Sequence, residues 1–352
     1  MKILVVGDWH SDLHEHEVSR SLIRLGHEVS SFKWFSYFDQ SPSRLIQVPS
    51  IFLRLQNKFI VGPLVNKINR DFVSEVIYQE PDLIFVYRGT HILYQSIKAI
   101  KLKVPSCKIV GYNNDDPFSP TQPKYYWRHF LKSIPYYDFV FAYRKRNLIE
   151  YEAAGAKKTA LLRSWYVPDR SFNVQLSASE KLLFDCDVVF AGHYEADDRL
   201  TSFEEIIKQG YIFRLFGPTK DWAEPSKKSR LLGKLAPIKM AWGDDYNKAL
   251  SGSKIALCFL SKLNRDTYTR RCFEIPATKT FLLSEYSDDL ASLYKEGVEA
   301  EYFRDRDEML RKMKFYLENP DARKKIADAG FDRAKVSGYD IDSRMKVLLT
   351  QI

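Results

Sequence analysis

The sequence predicts an α/β fold built from two doubly wound, Rossmann-like domains. Three observations carry this. Short, nearly all-apolar, β-branched runs alternate with amphipathic stretches; the alternation breaks once, over 164–180; and it then restarts in the same form. Runs of that character suit parallel strands covered on both faces. Their alternation with helices is the mark of a doubly wound sheet.

In the first half, strands are expected at 2–7 (KILVVG), 27–32 (HEVSSF), 82–87 (DLIFVY), 108–112 (KIVGY), 138–142 (DFVFA) and 159–163 (TALLR). A helix is expected from Glu15 to Leu25, ended by Gly26, which suits the left-handed position after a helix. Val65, Ile68, Phe72, Val76 and Ile77 form a second helical stripe. Pro168, Ser177 and Ser179 mark 164–180 as a linker. Strands then return at 187–191, 211–216, 254–260, 280–285 and 300–303, with helices at about 197–209, 244–251, 306–318, 321–335 and 340–351. The expected domains are 1–168 and 180–338, followed by a helical segment, 339–352.

Composition narrows the class. A chain of 352 residues can bury two cores, and 45% hydrophobic with 28% charged residues is the profile of a soluble globular protein. The apolar run in MKILVVGDWH is too short for a signal peptide and reads as a buried strand. No apolar run approaches the roughly 18–20 residues that cross a bilayer. Cys107, Cys186, Cys258 and Cys272 are far apart and form no CxxC pair, so reduced thiols and a cytoplasmic location are expected.

The net charge is +9. Part of it lies in 40–70, which carries Arg44, Arg54, Lys58, Lys67 and Arg70 and no acidic residue, interleaved with Ile51, Phe52, Leu55, Phe59 and Ile60. Basic plus apolar points to an anionic membrane surface, met peripherally at its inner face, or to a lipid-linked acceptor. The rival reading places these apolar side chains in a core. The segment fits no nucleic-acid motif, and nucleic acid is not an expected partner.

The most informative stretch is 264–303. Asp266 and Glu274 stand eight positions apart, and Thr269, Arg270 and Arg271 lie between them where a short helix is expected to begin. Arginines at such a place offer charged, two-pronged phosphate contacts, and helix N–H groups add to them. A glutamate one turn on can accept hydrogen bonds from a sugar diol. Diphosphate, ribose and sugar are the parts of a nucleotide-sugar.

Over RCFEIPATKTFLLSEYSDDLASLYKEGVEAEYF and the following EMLRKMKFYLENPDARKKIADAG, the chain resembles the C-terminal donor domain of group 1 glycosyltransferases. The nearest likeness is to the CgeB-like branch, named for a spore maturation protein. The resemblance is strongest over about 185–345 and weaker but continuous over 1–165. It implies the GT-B architecture, two Rossmann-like domains facing a ligand cleft. It also implies transfer of a sugar from a UDP-, GDP- or dTDP-linked donor to a saccharide or lipid-linked acceptor, in surface polysaccharide or glycoconjugate synthesis. The wider group has two glutamates separated by seven residues; here Asp266 takes the first place, a departure that shortens its reach. The resemblance gives Glu274 the nucleotide ribose and the position of Asp266 the transferred sugar, with Thr269, Arg270 and Arg271 beside them. Tyr246 and Asn264 also match the pattern.

Further candidates sit after other strands. In GHYEADDR, Gly192 and Arg199 are placed where related enzymes face the diphosphate, although Arg199 can equally begin a helix as a solvent-facing charge. Gly217 either lets the chain pass close to a ligand or makes a plain turn. In the first domain GDWHSD lacks GxGxxG, so a dinucleotide is not expected. Trp9, His10 and Asp12 are expected to face the cleft, with His10 a candidate general base. In NNDDP, Asn114 and Asp115 are acceptor-binding candidates, and Asp116 is the candidate partner of His10, as in some inverting GT-B enzymes. The same residues are common turn formers. Arg88, in VYRGTH, is a further acceptor-binding candidate. Asp185-Cys186-Asp187 spells DxD but directly precedes a strand, so neither metal nor other cofactor is expected. The alternatives to a transferase are a sugar-nucleotide epimerase or hydrolase of the same fold, or a non-enzymatic carbohydrate-binding or coat-assembly protein.

Overall fold

Eleven strands form two all-parallel sheets in the computed structural model, which describes residues 1–39 and 50–352. The chain divides into two units, Met1–Arg163 with Ile341–Ile352, and Ser164–Asp340.

The first unit runs β1 (Lys2–Gly7), α1 (Glu15–Arg24), β2 (Glu28–Lys33), α2 (Ser50–Phe59), α3 (Pro63–Gln79), β3 (Leu83–Tyr87), α4 (Tyr94–Lys103), β4 (Lys108–Asn113), α5 (Lys124–Ser133), β5 (Phe139–Ala142), α6 (Lys145–Ala153) and β6 (Thr159–Leu161). Its sheet has the order β2-β1-β3-β4-β5-β6. After β2 the chain crosses back over β1 to start β3, so β1 and β3 flank the point where the winding reverses. Such a point opens a crevice at the C-terminal ends of the strands. Leu4, Val6, Ile84 and Val86 are sealed in the core, as the near-continuous apolar runs require.

The second unit runs α7 (Ala178–Phe184), β7 (Cys186–Ala191), α8 (Arg199–Lys208), β8 (Phe213–Phe216), α9 (Thr219–Lys228), α10 (Arg230–Gly233), α11 (Asp244–Ser251), β9 (Ser253–Cys258), α12 (Arg271–Ala277), β10 (Phe281–Glu285), α13 (Asp288–Ala291), β11 (Glu301–Phe303), α14 (Arg306–Glu318) and α15 (Pro320–Val336). The order β11-β10-β9-β7-β8 puts the reversal between β7 and β9. The chain then returns to the first unit as α16 (Ile341–Gln351), which packs on α1. Ile341, Met345 and Leu348 are buried there, and Arg24 grips Asp342 with both Nε (3.0 Å) and Nη2 (2.7 Å).

Every expected strand is present. Among the helices not anticipated, α5 is crowded with aromatics and α9 carries Pro225 in its interior. The end of the expected linker is a helix start instead. Ser177 caps α7, its hydroxyl accepting from the Glu180 N–H, and the Glu180 carboxylate accepts in return from the Ser177 N–H at 2.9 Å. Arg44 lies outside the described residues. Within α2, Ile51, Phe52, Leu55 and Phe59 are between 41 and 57% exposed, whereas Ile60 is sealed. No helix among the described residues is long and apolar enough to cross a membrane.

The β1–α1 connection holds an unusual acid. Glu15, first residue of α1, is sealed beneath Gly7, where a Cβ would come 2.0 Å from its Oε1. That oxygen accepts from the Asp8 N–H at 3.0 Å, and Oε2 has no partner among the described residues. Burial, reinforced by the charge of Asp8, raises the Glu15 carboxyl from the ordinary 4.5 to about 7. The unfolded chain therefore ionises first. The stability held below pH 4.5 is lost as pH rises through about 7, by up to about 3 kcal/mol. Denaturant unfolding at pH 5 and pH 8 should show this loss in the wild type, and Glu15→Gln should shrink it.

Candidate functional site

The end of the second sheet is organised by Arg271. Its backbone begins α12, and its side chain reaches back across the β7/β9 reversal. Nη1 donates to the Ala191 carbonyl at the end of β7 (2.9 Å), and Nη2 to the Phe259 carbonyl just past β9 (3.3 Å). The guanidinium also lies 5.2 Å from the centre of the Phe190 ring. This approach requires Gly192, where a Cβ would stand 1.7 Å from Nη1. Gly217 is constrained in the same way, since a Cβ there would stand 2.2 Å from the Gly192 carbonyl. That carbonyl accepts from the Trp222 indole N–H at 2.9 Å. Gly192, Gly217, Trp222 and Arg271 are thus one packed cluster at the ends of β7, β8 and β9.

Glu274 lies one turn along α12 and is nearly buried. Its Oε1 accepts from Arg270 Nε (2.6 Å) and its Oε2 from the Tyr246 hydroxyl (3.0 Å). Burial and the adjoining carboxylate push the Tyr246 phenol well above its usual range, so it remains a donor. Asp266 is half-buried in the turn before α12, its N–H on the Ser261 carbonyl (2.8 Å), and the Asn264 N–H bonds Ser261 Oγ (3.2 Å). Thr269 faces inward: its N–H donates to Cys272 Sγ at 3.4 Å, and its hydroxyl lies 3.4 Å from Cys258 Sγ.

Arg199 does begin a helix, but it does not face solvent. It is 1% exposed, bonds Asp197 through Nε and Nη2 (2.7 Å each), and donates from Nη1 to the His193 carbonyl (2.7 Å). It fixes the loop after β7. Two residues not singled out from the sequence meet here: His193, beside Gly192 in the loop after β7, and Asp221, in the first turn of α9 after β8. Nδ1 of His193 and Oδ2 of Asp221 are 2.6 Å apart. Their separation of 28 positions hides the pair, and only the position of each just past a strand-ending glycine hints at it. A concavity of about 310 Å³ lined by Thr219, Trp222, Lys227 and Pro237 shares only Trp222 with the cluster, and the charged groups gather at the cluster.

In the first unit the reversal between β1 and β3 is also spanned by an arginine. Arg88, in a left-handed conformation (φ 64°), pairs with Asp115 past β4, and its Nη1 lies 3.7 Å from Asp8 Oδ2 past β1. Burial alone would raise the Asp115 carboxyl; the Arg88 guanidinium overrides it and holds that group below the usual range. Asp116, the next residue, is sealed in the turn. Its Oδ1 accepts from the Phe118 N–H and the Asn147 amide, both at 3.0 Å. The Asn114 carbonyl accepts from the buried Arg144 (3.0 Å). His10 is exposed with its ring against Phe35, and Asp12 is exposed. Trp9, half-buried with φ 58°, lies between His16 and the Lys33 ammonium. The structure therefore brings together Asp8, Arg88 and Asp115, and gives the Asp116 carboxylate a turn to hold. Asp187 of the DxD sequence is the second residue of β7; it accepts from the Ile212 N–H (2.9 Å) and from Lys254 (2.7 Å).

Residues 199–350 match the family model described as glycosyl transferase-like. No curated protein matches the sequence. Among solved structures, the chain is similar over its full length to a sucrose-phosphate synthase from Thermosynechococcus elongatus (11% identity, 98% of that chain, TM-score 0.72). It is similar over its full length to Anabaena HepE in complex with UDP-glucose (12% identity, 100% of that chain, TM-score 0.67). It is also similar over 99% of its length to a trehalose 6-phosphate synthase from Burkholderia multivorans (10% identity, 97% of that chain, TM-score 0.64). The chain has the GT-B fold, and its residues 199–350 carry a glycosyl transferase-like domain.

Proposed function

We propose that the chain moves a sugar from a nucleotide-sugar to a saccharide or lipid-linked acceptor, as a CgeB-like group 1 glycosyltransferase serving surface polysaccharide or glycoconjugate synthesis. The second unit takes the donor and the first the acceptor. The observation that carries this is Arg271 fixed across the β7/β9 reversal beside Gly192 and Glu274. A guanidinium has five N–H donors, and two carbonyl bonds leave others for a diphosphate. Each Glu274 oxygen accepts one protein bond and keeps a lone pair for a ribose hydroxyl. Asp266, in the turn before α12, is our candidate for contact with the transferred sugar. In the first unit, Asp8 and Asp115 around Arg88 offer acceptors to the hydroxyls of a saccharide.

UDP, GDP and dTDP are the probes, UDP first because HepE was solved with it. At a hundred times its Kd the right diphosphate should stabilise the fold by about 2.7 kcal/mol in a thermal-shift assay. Arg271→Ala and Glu274→Gln should each weaken that binding about tenfold or more, with far-ultraviolet circular dichroism unchanged. A diphosphate that binds both variants as tightly as wild type would remove Arg271 and Glu274 from the site.

Transfer is proposed to need no divalent metal. Asp187 is occupied by Lys254 and the Ile212 N–H, and fixed positive groups can carry the charge of the leaving diphosphate. Activity should persist in excess chelator; complete loss, restored by magnesium or manganese, would contradict this.

The acceptor is proposed to be met at an anionic membrane. The exposed apolar stripe of α2 carries Arg54 and Lys58, also exposed, and its C-terminal carbonyls at Phe59 and Ile60 accept from Arg128 on α5 (2.6 and 2.7 Å). Each basic residue near such a surface contributes about 1 kcal/mol. Arg54→Ser with Lys58→Ser should reduce co-sedimentation with phosphatidylserine vesicles about tenfold or more, and Phe52→Ser should weaken it further. Equal binding to neutral and anionic vesicles at low salt would exclude the charge-driven contact.

A further inference from the structure

We infer that His193 and Asp221 form a dyad that recognises the donor's diphosphate, an assignment that rests on the donor reading of this site. The imidazole is 72% exposed, and Asp221 is 35% exposed. An exposed ion pair contributes little to stability, so the fold does not depend on it. Yet both halves are placed by buried groups. The sealed Arg199 holds the His193 carbonyl at 2.7 Å, and the Trp222 indole holds the Gly192 carbonyl at 2.9 Å. Gly217 clears the path between the two loops, and Asp221 is the residue before Trp222 on α9. The loops that follow β7 and β8 are thereby locked together, with the ring one residue past Gly192, the glycine against which Arg271 packs.

The chemistry follows from the ring's two nitrogens. Nδ1 is engaged by Asp221 at 2.6 Å, which orients the ring and leaves Nε2 without a partner among the described residues. With one proton on the ring, held between Nδ1 and Asp221, Nε2 presents a lone pair. With two, it presents an N–H whose positive charge the carboxylate balances. In the second form the N–H can make a charge-assisted hydrogen bond to a phosphate oxygen. Arg199, paired with Asp197 and 3.8 Å from Glu195, holds the His193 backbone through its carbonyl. No bond is made or broken at the imidazole. His193 contacts a phosphate oxygen, and Asp221 is a positioning residue that acts through it.

The test is calorimetric titration of the full chain with UDP and UMP, or with the GDP/GMP or dTDP/dTMP pair if thermal shift selects it. His193→Ala should weaken diphosphate binding about tenfold and leave the monophosphate within about twofold. His193→Arg should restore the diphosphate preference. Asp221→Asn should weaken diphosphate binding in the wild type and have no effect in the His193→Arg background, a coupling that loop damage would not produce. An unchanged diphosphate-to-monophosphate ratio in His193→Ala, or an equal loss for both ligands, overturns the dyad while leaving the donor site standing. Failure of the wild type to bind any of the three diphosphates overturns the donor reading and this inference with it.

Discussion

An arginine spans the winding reversal of each sheet, and the local chemistry of each unit depends on what that arginine meets. At such a reversal the helices on either side leave in opposite directions, and a crevice opens among carbonyl oxygens at the strand ends. In the first unit Arg88 meets two carboxylates, Asp8 and Asp115, so the crevice offers carboxylate acceptors. In the second unit the hydrogen bonds of Arg271 go to backbone carbonyls, and its charge is not cancelled by a hydrogen-bonded carboxylate. One topology therefore yields two opposite environments. The first suits hydroxyl groups and the second suits phosphate, a division of labour set by side chains at equivalent places.

Glycine makes the second environment attainable. Arg271 can reach Ala191 because position 192 has no side chain, and the Gly192 carbonyl can receive the Trp222 indole because position 217 has none. Each step depends on the previous one, so the cluster is a chain of close approaches.

The strands were legible because a parallel strand sealed on both faces must be apolar throughout, and a run such as Leu83–Tyr87 has no other reading. The helices were partly legible. α3 and α14 were expected from their apolar spacing, whereas the aromatics of α5 and the internal proline of α9 disfavour a helix reading although both helices are amphipathic. Within the site, Gly192, Gly217, Arg271 and Glu274 were visible because each stands beside a strand end or in one short segment. Asp8, His193 and Asp221 were not, because their convergence with Arg88 or with each other is decided by strand order, which joins residues far apart in the chain. The neighbours Asp115 and Asp116 show the limit most sharply. One residue of backbone turn sends the first to Arg88 and the second into the fold, and no property of either aspartate announces which.

The return of the chain to its first unit bears on how the protein is made. The groove on α1 that receives Ile341, Met345 and Leu348 is formed by residues translated early, but its occupant follows the whole of the second unit. At ordinary elongation rates that interval is on the order of ten seconds or more. Through it, the first unit must remain on the ribosome with an apolar face uncovered and Arg24 lacking its carboxylate. Closure of this face of the first unit therefore waits until the whole second unit has been translated.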